Sequence, residues 1–220
     1  MLSKELAPRW AAGLTIHHTY RPTAAQWAGK RSMDALGRFY RAKGWSAGPH
    51  LFVAPDGIWL GTPLSARGVH GTACNTDRIG IEIVGDFDTA PWPPALQQRV
   101  IALSVALLHW LRADERMANG HRECPSEKSC PGRAVNMALV RSWIGAQLFT
   151  QRFATIADVS NVREYPRVSS AVLTKAPRGS VYPAHPVNGT YVQGDRRWVR
   201  VRLPSGRLGY IWQPLGVLSS

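Results

Sequence analysis

The chain has 220 residues, of which 45% are hydrophobic and 19% are charged. This composition is typical of a folded globular protein and excludes a disordered or low-complexity chain. The formal net charge of +13 predicts an acidic partner: nucleic acid, an anionic membrane face or an anionic cell wall.

The first twenty residues contain no apolar stretch long enough for a signal peptide, because Arg9 and Trp10 interrupt it. The longest apolar-rich run, Val100 to Leu108, is too short for a transmembrane span and is interpreted as a buried helix. We therefore expect a monomeric chain that is synthesised in the cytoplasm and depends on another route for any export.

The first 150 residues alternate between strand-like and helix-like patterns. Ser32 can cap a helix that Gly44 ends, and Pro93-Pro94 opens a longer one. The predicted elements are strands at 14–16, 50–54, 58–60 and 79–84, and helices at 32–43, 94–110 and 133–148. Strands mixed with covering helices predict an α/β or α+β domain over residues 1–150.

Residues 151–220 show a different sequence pattern, in which short β-like runs are separated by turn signals. The runs lie at 160–163, 171–173, 180–182, 198–203 and 209–212, with turns at 175–179, 188–189, 194–195 and 204–206. This pattern predicts a small all-β barrel. The segment carries ten Lys and Arg against three Asp and Glu, and nine of the ten are Arg, which indicates a binding surface for anionic groups.

Three residues of the first domain could bind a metal. His17 ends a strand, His121 follows the long helix, and Cys130 comes nine residues later. Two imidazoles and one thiolate suit Zn²⁺ and leave a fourth position for water. Spacing alone is a weak signal, because histidines in strands usually have structural roles and a separation of nine residues between His121 and Cys130 does not make a compact zinc finger.

The remaining cysteines, Cys74 and Cys124, complete an odd and sparse set of three that argues against a disulfide scaffold. Cys74 is expected to be a small buried residue. Cys124, three residues after His121, could compete with Cys130 as a ligand.

A series of motifs carries a family resemblance. In order these are Ile16-His17-His18-Thr19, Gly68-Val69-His70, Cys74-Asn75, Ile79-Gly80-Ile81-Glu82-Ile83-Val84-Gly85, Gly120-His121 and Lys128-Ser129-Cys130-Pro131-Gly132. Over about residues 10–147 the chain resembles the zinc-dependent N-acetylmuramoyl-L-alanine amidases, which include amidase-type phage lysozymes, peptidoglycan recognition proteins and anhydro-muropeptide amidases. The resemblance implies a central mixed sheet flanked by helices, Zn²⁺ held by His17, His121 and Cys130, and a muropeptide lying across the groove.

Two catalytic roles follow from the same resemblance. Glu82 resembles the glutamate of the recycling amidases, and Lys128 resembles the lysine of the phage enzymes. A carboxylate beside the metal can move the proton of water, and an ammonium can stabilise an oxyanion. The alternatives are a buried ion-pair partner for Glu82 and a solvated loop residue for Lys128. Pro49 stands where many relatives have tyrosine, which favours the pair of Glu82 and Lys128.

Four residues are predicted to bind substrate. His70 matches a substrate-contact position of the family, and Trp45, Asn75 and His50 are expected to line the groove. Packing within the fold is the alternative for each of them. His18 should point away from His17, as successive residues in a strand do, and is interpreted as structural.

The tail resembles bacterial SH3-like cell-wall modules over about residues 157–218, at Ser160-Asn161-Val162-Arg163, Trp198-Val199-Arg200-Val201 and Gly209-Tyr210-Ile211-Trp212. The resemblance implies a tether to peptidoglycan or to an attached anionic polymer. A stabilising appendage is the alternative.

The sequence therefore predicts a zinc amidase that cleaves the bond between muramic acid and L-alanine, as a phage or prophage endolysin acting on the wall after release. A cytoplasmic muropeptide-recycling amidase and a non-catalytic peptidoglycan receptor are the alternatives. Specific nucleic-acid binding has only the charge in its favour, because no basic helix interleaved with aromatic residues supports it.

Overall fold

The computed structural model describes residues 7–125, 127–186 and 197–220. The chain divides into two units, Met1–Gly145 and Ala146–Ser220. Within the described ranges, no helix combines the length and apolar character needed to cross a membrane. The turns predicted at Asn188-Gly189 and Gly194-Asp195 lie outside the described residues.

A five-stranded mixed sheet forms the centre of the first unit. The elements are β1 (Gly13–His18), α1 (Lys30–Ala42), β2 (Leu51–Ala54), β3 (Gly57–Leu60), β4 (Arg78–Ile83), α2 (Pro94–Trp110), β5 (Ala118–Gly120) and α3 (Met137–Leu148). The strand order is β3-β2-β4-β1-β5, with β2 and β3 antiparallel and the other pairs parallel. The mixed sheet with helices confirms the predicted fold class.

Apolar strands with few polar residues place β1, β2 and β4 in the interior. Leu14, Ile16, Ile81 and Val53 are fully buried, as expected for parallel strands covered by helices. Helix α2 packs against β1 and β2. The polar side chains His17 and Glu82 therefore stand out in a largely apolar sheet.

Two helices begin at different residues from those predicted. Helix α1 begins at Lys30 with Gly29 as its cap, and the Ser32 hydroxyl accepts the Ala28 N–H at 2.9 Å within the first turn. Helix α3 begins at Met137 rather than at residue 133. Asn136 caps it by accepting the Leu139 N–H at 3.1 Å.

Arg133 and Ala134, the first two residues of the predicted helix, are held by a distant segment, which explains the late start. The Arg133 N–H donates to Asp88 at 3.0 Å, and the Ala134 N–H donates to the Phe87 carbonyl at 3.1 Å. Because Phe87 and Asp88 are distant in sequence from these residues, helical periodicity cannot predict the contacts.

The second unit contains a seven-stranded antiparallel sheet. Its strands are β6 (Gln151–Thr155), β7 (Val159–Arg163), β8 (Val172–Pro177), β9 (Val181–Pro186), β10 (Trp198–Arg202), β11 (Leu208–Trp212) and β12 (Gly216–Ser219). Their order is β12-β6-β9-β10-β11-β7-β8, and Phe153, Val199, Val201 and Ile211 are central to its core. An all-β unit is thus present, as the turn spacing predicts.

The sequence pattern missed β6 and β12, which pair with each other. Strand β6 also pairs with β9, so both strands are defined by partners that are distant in the chain. The turn predicted at 175–179 begins later, because Lys175–Pro177 belong to β8 and pair with β7.

Candidate metal centre

The candidate site lies along a row of residues that pair with one another across neighbouring strands of the sheet. In the register of the strands, His17 of β1 pairs with Glu82 of β4, and Glu82 pairs with Phe52 of β2. Residues that pair directly across a sheet project from the same face. His121 joins this row from the other side, because it follows Gly120, which pairs with Ile16.

The three predicted metal ligands converge. One donor atom each of His17, His121 and Cys130 lies within 4.8 Å of the others, and all three residues are buried. His17 Nδ1 is 3.6 Å from Cys130 Sγ. Tetrahedral zinc with its usual bonds to nitrogen and sulfur requires about 3.6 Å between two such atoms. The donor set and its spacing therefore fit Zn²⁺.

Backbone contacts fix the thiol. The His18 N–H donates to Cys130 Sγ at 3.3 Å, and the Arg122 N–H donates to the Cys130 carbonyl at 2.8 Å. The His18 ring faces the other way and accepts the Phe87 N–H through Nδ1 at 3.2 Å. These contacts agree with the structural interpretation of His18.

Burial sets the charge state of the ligands. Desolvation, followed by the nearby His70 and His121, lowers the pKa of His17 well below its usual value, and desolvation also lowers the pKa of His121. Both imidazoles are thus kept neutral, as metal ligation requires. Burial raises the pKa of the Cys130 thiol to about 12, so a metal that binds there must displace a proton.

The other two cysteines form a disulfide, which corrects the sequence-based expectation. Cys74 and Cys124 are bonded, with their Cα atoms 6.1 Å apart, and Cys130 is the free thiol. Cys124 is therefore not a competing ligand. The bond joins segments separated by 50 residues, a proximity that cysteine counting cannot predict.

Glu82 lies between the ligand group and Phe52. Burial raises its pKa to about 8, and its buried Oε2 has no hydrogen-bond partner in the described structure. An ion pair is therefore not what keeps this carboxyl in the sheet. A buried polar atom left without a partner is uncommon and calls for a functional or solvent explanation.

Lys128 is exposed on the loop that leads to Cys130. Its positive charge contributes to lowering the pKa values of His17 and His121. Lys128 is therefore near enough to the ligand group for its charge to matter there.

A cavity of about 570 Å³ lies beside Phe52. Trp45 lines it and stacks on Tyr40 of α1, with ring centroids 5.5 Å apart and planes 7° apart. Pro49 also lines the cavity, where relatives were expected to have tyrosine. The wall is completed by Met33, Asp34, Leu36, Gly37, Arg38, Arg41, Ser46, Ala47, Gly48, Leu60, Gly61 and Thr62.

Three of the predicted substrate contacts form hydrogen bonds within the fold through their side chains. His50 is 0% exposed; its Nδ1 accepts the Gly80 N–H at 2.9 Å and its Nε2 is 3.0 Å from the Ala66 carbonyl. Asn75 Oδ1 accepts the N–H groups of His70 and Gly71 at 2.8 and 2.7 Å. His70 is 5% exposed. Of the four predicted residues, only Trp45 lines the cavity.

The sequence profile described as N-acetylmuramoyl-L-alanine amidase (Amidase_2) matches residues 8–133. The chain belongs to this family. No curated protein sequence matches it closely enough to count as a relative.

Three solved structures show how the amidase fold recurs. LysC, an N-acetylmuramoyl-L-alanine amidase from Clostridium intestinale URNW, is 22% identical over 62% of this chain and 85% of its own, with a TM-score of 0.53. A Drosophila PGRP-LB variant in complex with tracheal cytotoxin is 26% identical over 63% and 83%, with a TM-score of 0.54. AmpD is 24% identical over 60% and 84%, with a TM-score of 0.50.

Two glycines of this amidase-family chain leave room for the histidines, a role that motif matching did not assign to them. A Cβ on Gly71 would lie 3.0 Å from His121 Nε2 and 3.3 Å from His17 Cε1. A Cβ on Gly80 would lie 2.5 Å from the His70 ring. Gly80 belongs to the motif Ile79-Gly80-Ile81, whereas Gly71 directly follows the motif Gly68-Val69-His70 and was not part of it.

Proposed function

We propose that the protein is a zinc-dependent amidase that hydrolyses the bond between the lactyl group of N-acetylmuramic acid and the first L-alanine of peptidoglycan. The observation that carries the proposal is the buried group of His17, His121 and Cys130 beside Glu82, whose buried Oε2 has no hydrogen-bond partner in the described part of the chain. Membership of the amidase family supports the bond class.

His17, His121 and Cys130 would hold the zinc ion, and among the residues that the structure describes no fourth protein ligand joins the group. When bound, zinc supplies Lewis-acid activation of water and of the scissile carbonyl. The three side chains are buried, and their two imidazoles are neutral, so they can present lone pairs to the ion.

Glu82 is proposed as the proton carrier. It lies in the same row of the sheet as His17, and a group whose pKa lies near the working pH can both accept and return a proton. One Glu82 oxygen would take the proton of the attacking water, and would then give it to the departing L-alanine nitrogen.

Lys128 is proposed to stabilise the oxyanion that develops on the carbonyl. It is exposed on the loop two residues before Cys130, which would let it approach the substrate from the solvent side. A preorganised cation of this kind acts most strongly where water is excluded.

The cavity between α1 and β2 is proposed to hold part of the muropeptide. One of its lining residues is Phe52, which pairs with Glu82 across the sheet. The cavity therefore lies next to the proposed reacting groups. Aromatic faces at Tyr40 and Trp45 suit sugar and aliphatic surfaces, while Arg38 and Arg41 suit carboxylates of a stem peptide.

The second unit is proposed to be an SH3-like wall-binding module, and the whole chain a monomeric phage or prophage endolysin. The antiparallel sheet and the Arg-rich composition support this. A chain of residues 1–150, which keeps α3 whole, should hydrolyse soluble muropeptides but bind walls more weakly, most clearly at low salt. Loss of hydrolysis by a folded truncated chain would contradict this division of roles.

The two alternative functions require different features of the protein. A recycling amidase would use the same Glu82 and Lys128 but would need no wall-binding unit. A receptor without catalysis would not need the converged ligand group. Plain DNA should bind only through salt-dependent charge attraction, without sequence preference.

The direct test uses a soluble N-acetylmuramoyl peptide and detects the new amino group of L-alanine. Turnover should stop when a chelator removes zinc and return when zinc is restored. Cys130→Ser should be inactive, whereas the double variant Cys74→Ser/Cys124→Ser should remain active after purification in folded form. Turnover that persists in the chelated protein would contradict the zinc mechanism.

A further inference from the structure

The structure contains a buried histidine that contacts one of the proposed metal ligands. His70 Nδ1 lies 3.1 Å from His17 Nε2, and His70 Nε2 lies 3.1 Å from the Arg78 carbonyl. Sequence resemblance assigned His70 to substrate contact. Both of its ring nitrogens are already engaged inside the fold, and the residue is 5% exposed.

The direction of these hydrogen bonds follows from the atoms involved. A carbonyl oxygen can only accept, so His70 Nε2 carries a proton and donates to Arg78. The ring is 5% exposed and has no acidic partner among the described residues. A buried charge without a partner is costly, so the ring is neutral. A neutral imidazole has one N–H and one lone pair, so Nδ1 accepts a proton from His17 Nε2.

This assignment determines the tautomer of His17. With its proton on Nε2, His17 carries its lone pair on Nδ1, and Nδ1 is the atom that faces Cys130 Sγ at 3.6 Å. A metal ligand must present a lone pair, and the hydrogen bond of the other ring nitrogen decides which nitrogen that is.

We propose that His70 is a positioning residue that selects the metal-binding tautomer of His17, through a chain of hydrogen bonds running from the Arg78 carbonyl. The inference rests on the proposed function, because it assigns His17 to zinc. It replaces substrate contact as the role of His70.

The surroundings of His70 agree with a positioning role. Gly80 leaves room for its ring, since a Cβ there would lie 2.5 Å away. Asn75 accepts the backbone N–H groups of His70 and Gly71, which fixes the turn that carries the ring. The backbone is thus shaped to hold one imidazole in one orientation.

His50 provides a natural comparison. Its ring lies 5.7 Å from that of His70, centroid to centroid, and it is also buried. Its ring stacks on Trp10, and its nitrogens contact the Gly80 N–H and the Ala66 carbonyl, so neither ring nitrogen binds a proposed metal ligand. Replacing His50 should affect folding stability without changing the tautomer of His17.

The first test measures zinc affinity in the full-length protein by competition with a chelator of known affinity. His70→Phe keeps the ring shape but removes the acceptor, and should weaken zinc binding about 10- to 100-fold, the usual effect of losing an outer hydrogen-bond partner. His70→Asn places an oxygen near the position of Nδ1 and should recover most of the loss. Folded His50→Phe should bind zinc like the wild type.

The second test needs no substitution. Nitrogen-15 NMR of the metal-free wild type near pH 7 should show His17 as the Nε2–H tautomer before zinc is added. A His17 that carries its proton on Nδ1, or that adopts the Nε2–H form only with zinc, would overturn the inference, as would unchanged zinc affinity in folded His70→Phe. A wild type that binds no zinc would instead contradict the proposed function.

Discussion

The two ends of the candidate site differ in how their side chains are held. At the metal end, His17, His121 and Cys130 are buried, and backbone groups or another imidazole contact His17 and Cys130. At the cavity end, Tyr40 and Trp45 come from a helix and a loop and are held by stacking on each other. The first arrangement is preorganised by the sheet, whereas the second depends on side chains that remain partly exposed.

This difference predicts two kinds of failure. Changes at the metal end should reduce zinc affinity or the rate of the chemical step. Changes at the cavity end should weaken substrate binding and leave the chemical step intact, because ground-state and transition-state binding are lost together. Glu82 lies between the two ends. The effect of replacing it on kcat and KM therefore shows to which end it belongs.

The largest effect is expected for Cys130→Ser. Zinc-binding energies of about 10–16 kcal/mol are shared among a few ligands, so removal of one should weaken binding on the order of a thousandfold. Competition with a chelator measures this. Cys74→Ser/Cys124→Ser is the control because it removes the other two sulfur atoms, and a similar loss of affinity there would reassign the ligand.

Glu82→Gln should lower kcat by roughly a hundredfold or more, because the amide keeps the shape but cannot accept a proton. Zinc content and KM should change little. Glu127→Gln, which removes a carboxylate from the exposed loop beside Lys128, should behave like the wild type. Near-normal kcat in zinc-loaded Glu82→Gln would show that Glu82 takes no part in the chemical step.

Lys128→Met should also lower kcat, on the order of a hundredfold, through loss of oxyanion stabilisation. Lys128→Arg keeps the charge and should retain more activity than Lys128→Met. Steady-state kinetics with the soluble muramoyl peptide distinguishes them. Equal activity in all three proteins would identify Lys128 as a solvated loop residue.

The raised pKa of Glu82 predicts a pH-dependent stability in the metal-free protein. Between the usual value of 4.5 and about 8, the folded state holds a proton that the unfolded state releases. Stability should therefore fall as pH rises through this window. Metal-free Glu82→Gln should lack this contribution and melt higher than the wild type at pH 8, by roughly a few degrees. Parallel melting curves from pH 5 to pH 8 would contradict the burial of this carboxyl.

The smallest effect is expected at the cavity end. Trp45→Ala removes a stacked ring and should raise KM about two- to tenfold, in line with the energy of one aromatic contact. The value of kcat should stay nearly constant. Phe39→Ala is the control, since Phe39 is an exposed aromatic residue of α1 that does not line the cavity. A fall in kcat without a change in KM would show that the cavity takes part in the chemical step.

Sequence reasoning reached some of these residues and not others for a physical reason. The motifs identified His17, His121 and Cys130, and the structure brings the three together. Glu82 stood out because a charge in the middle of an apolar strand is costly. Each of these signals is local in the chain.

The roles of His50, His70 and Cys124 depend on partners that are distant in sequence. His50 binds the Gly80 N–H, His70 binds His17, and Cys124 is bonded to Cys74. No spacing rule predicts these contacts, since they exist only after the sheet has assembled. The strands β6 and β12 were missed for the same reason, because β12 pairs with β6, and β6 pairs with both β12 and β9.

The central claim is that this chain cleaves the amide between muramic acid and L-alanine with zinc. The most direct measurement is mass spectrometry of the ends released from purified peptidoglycan, with and without a chelator. We predict free lactyl carboxyl groups on muramic acid and new N-terminal L-alanine, both abolished by the chelator. New reducing sugar ends, cleavage between amino acids, or binding without any release would contradict the account.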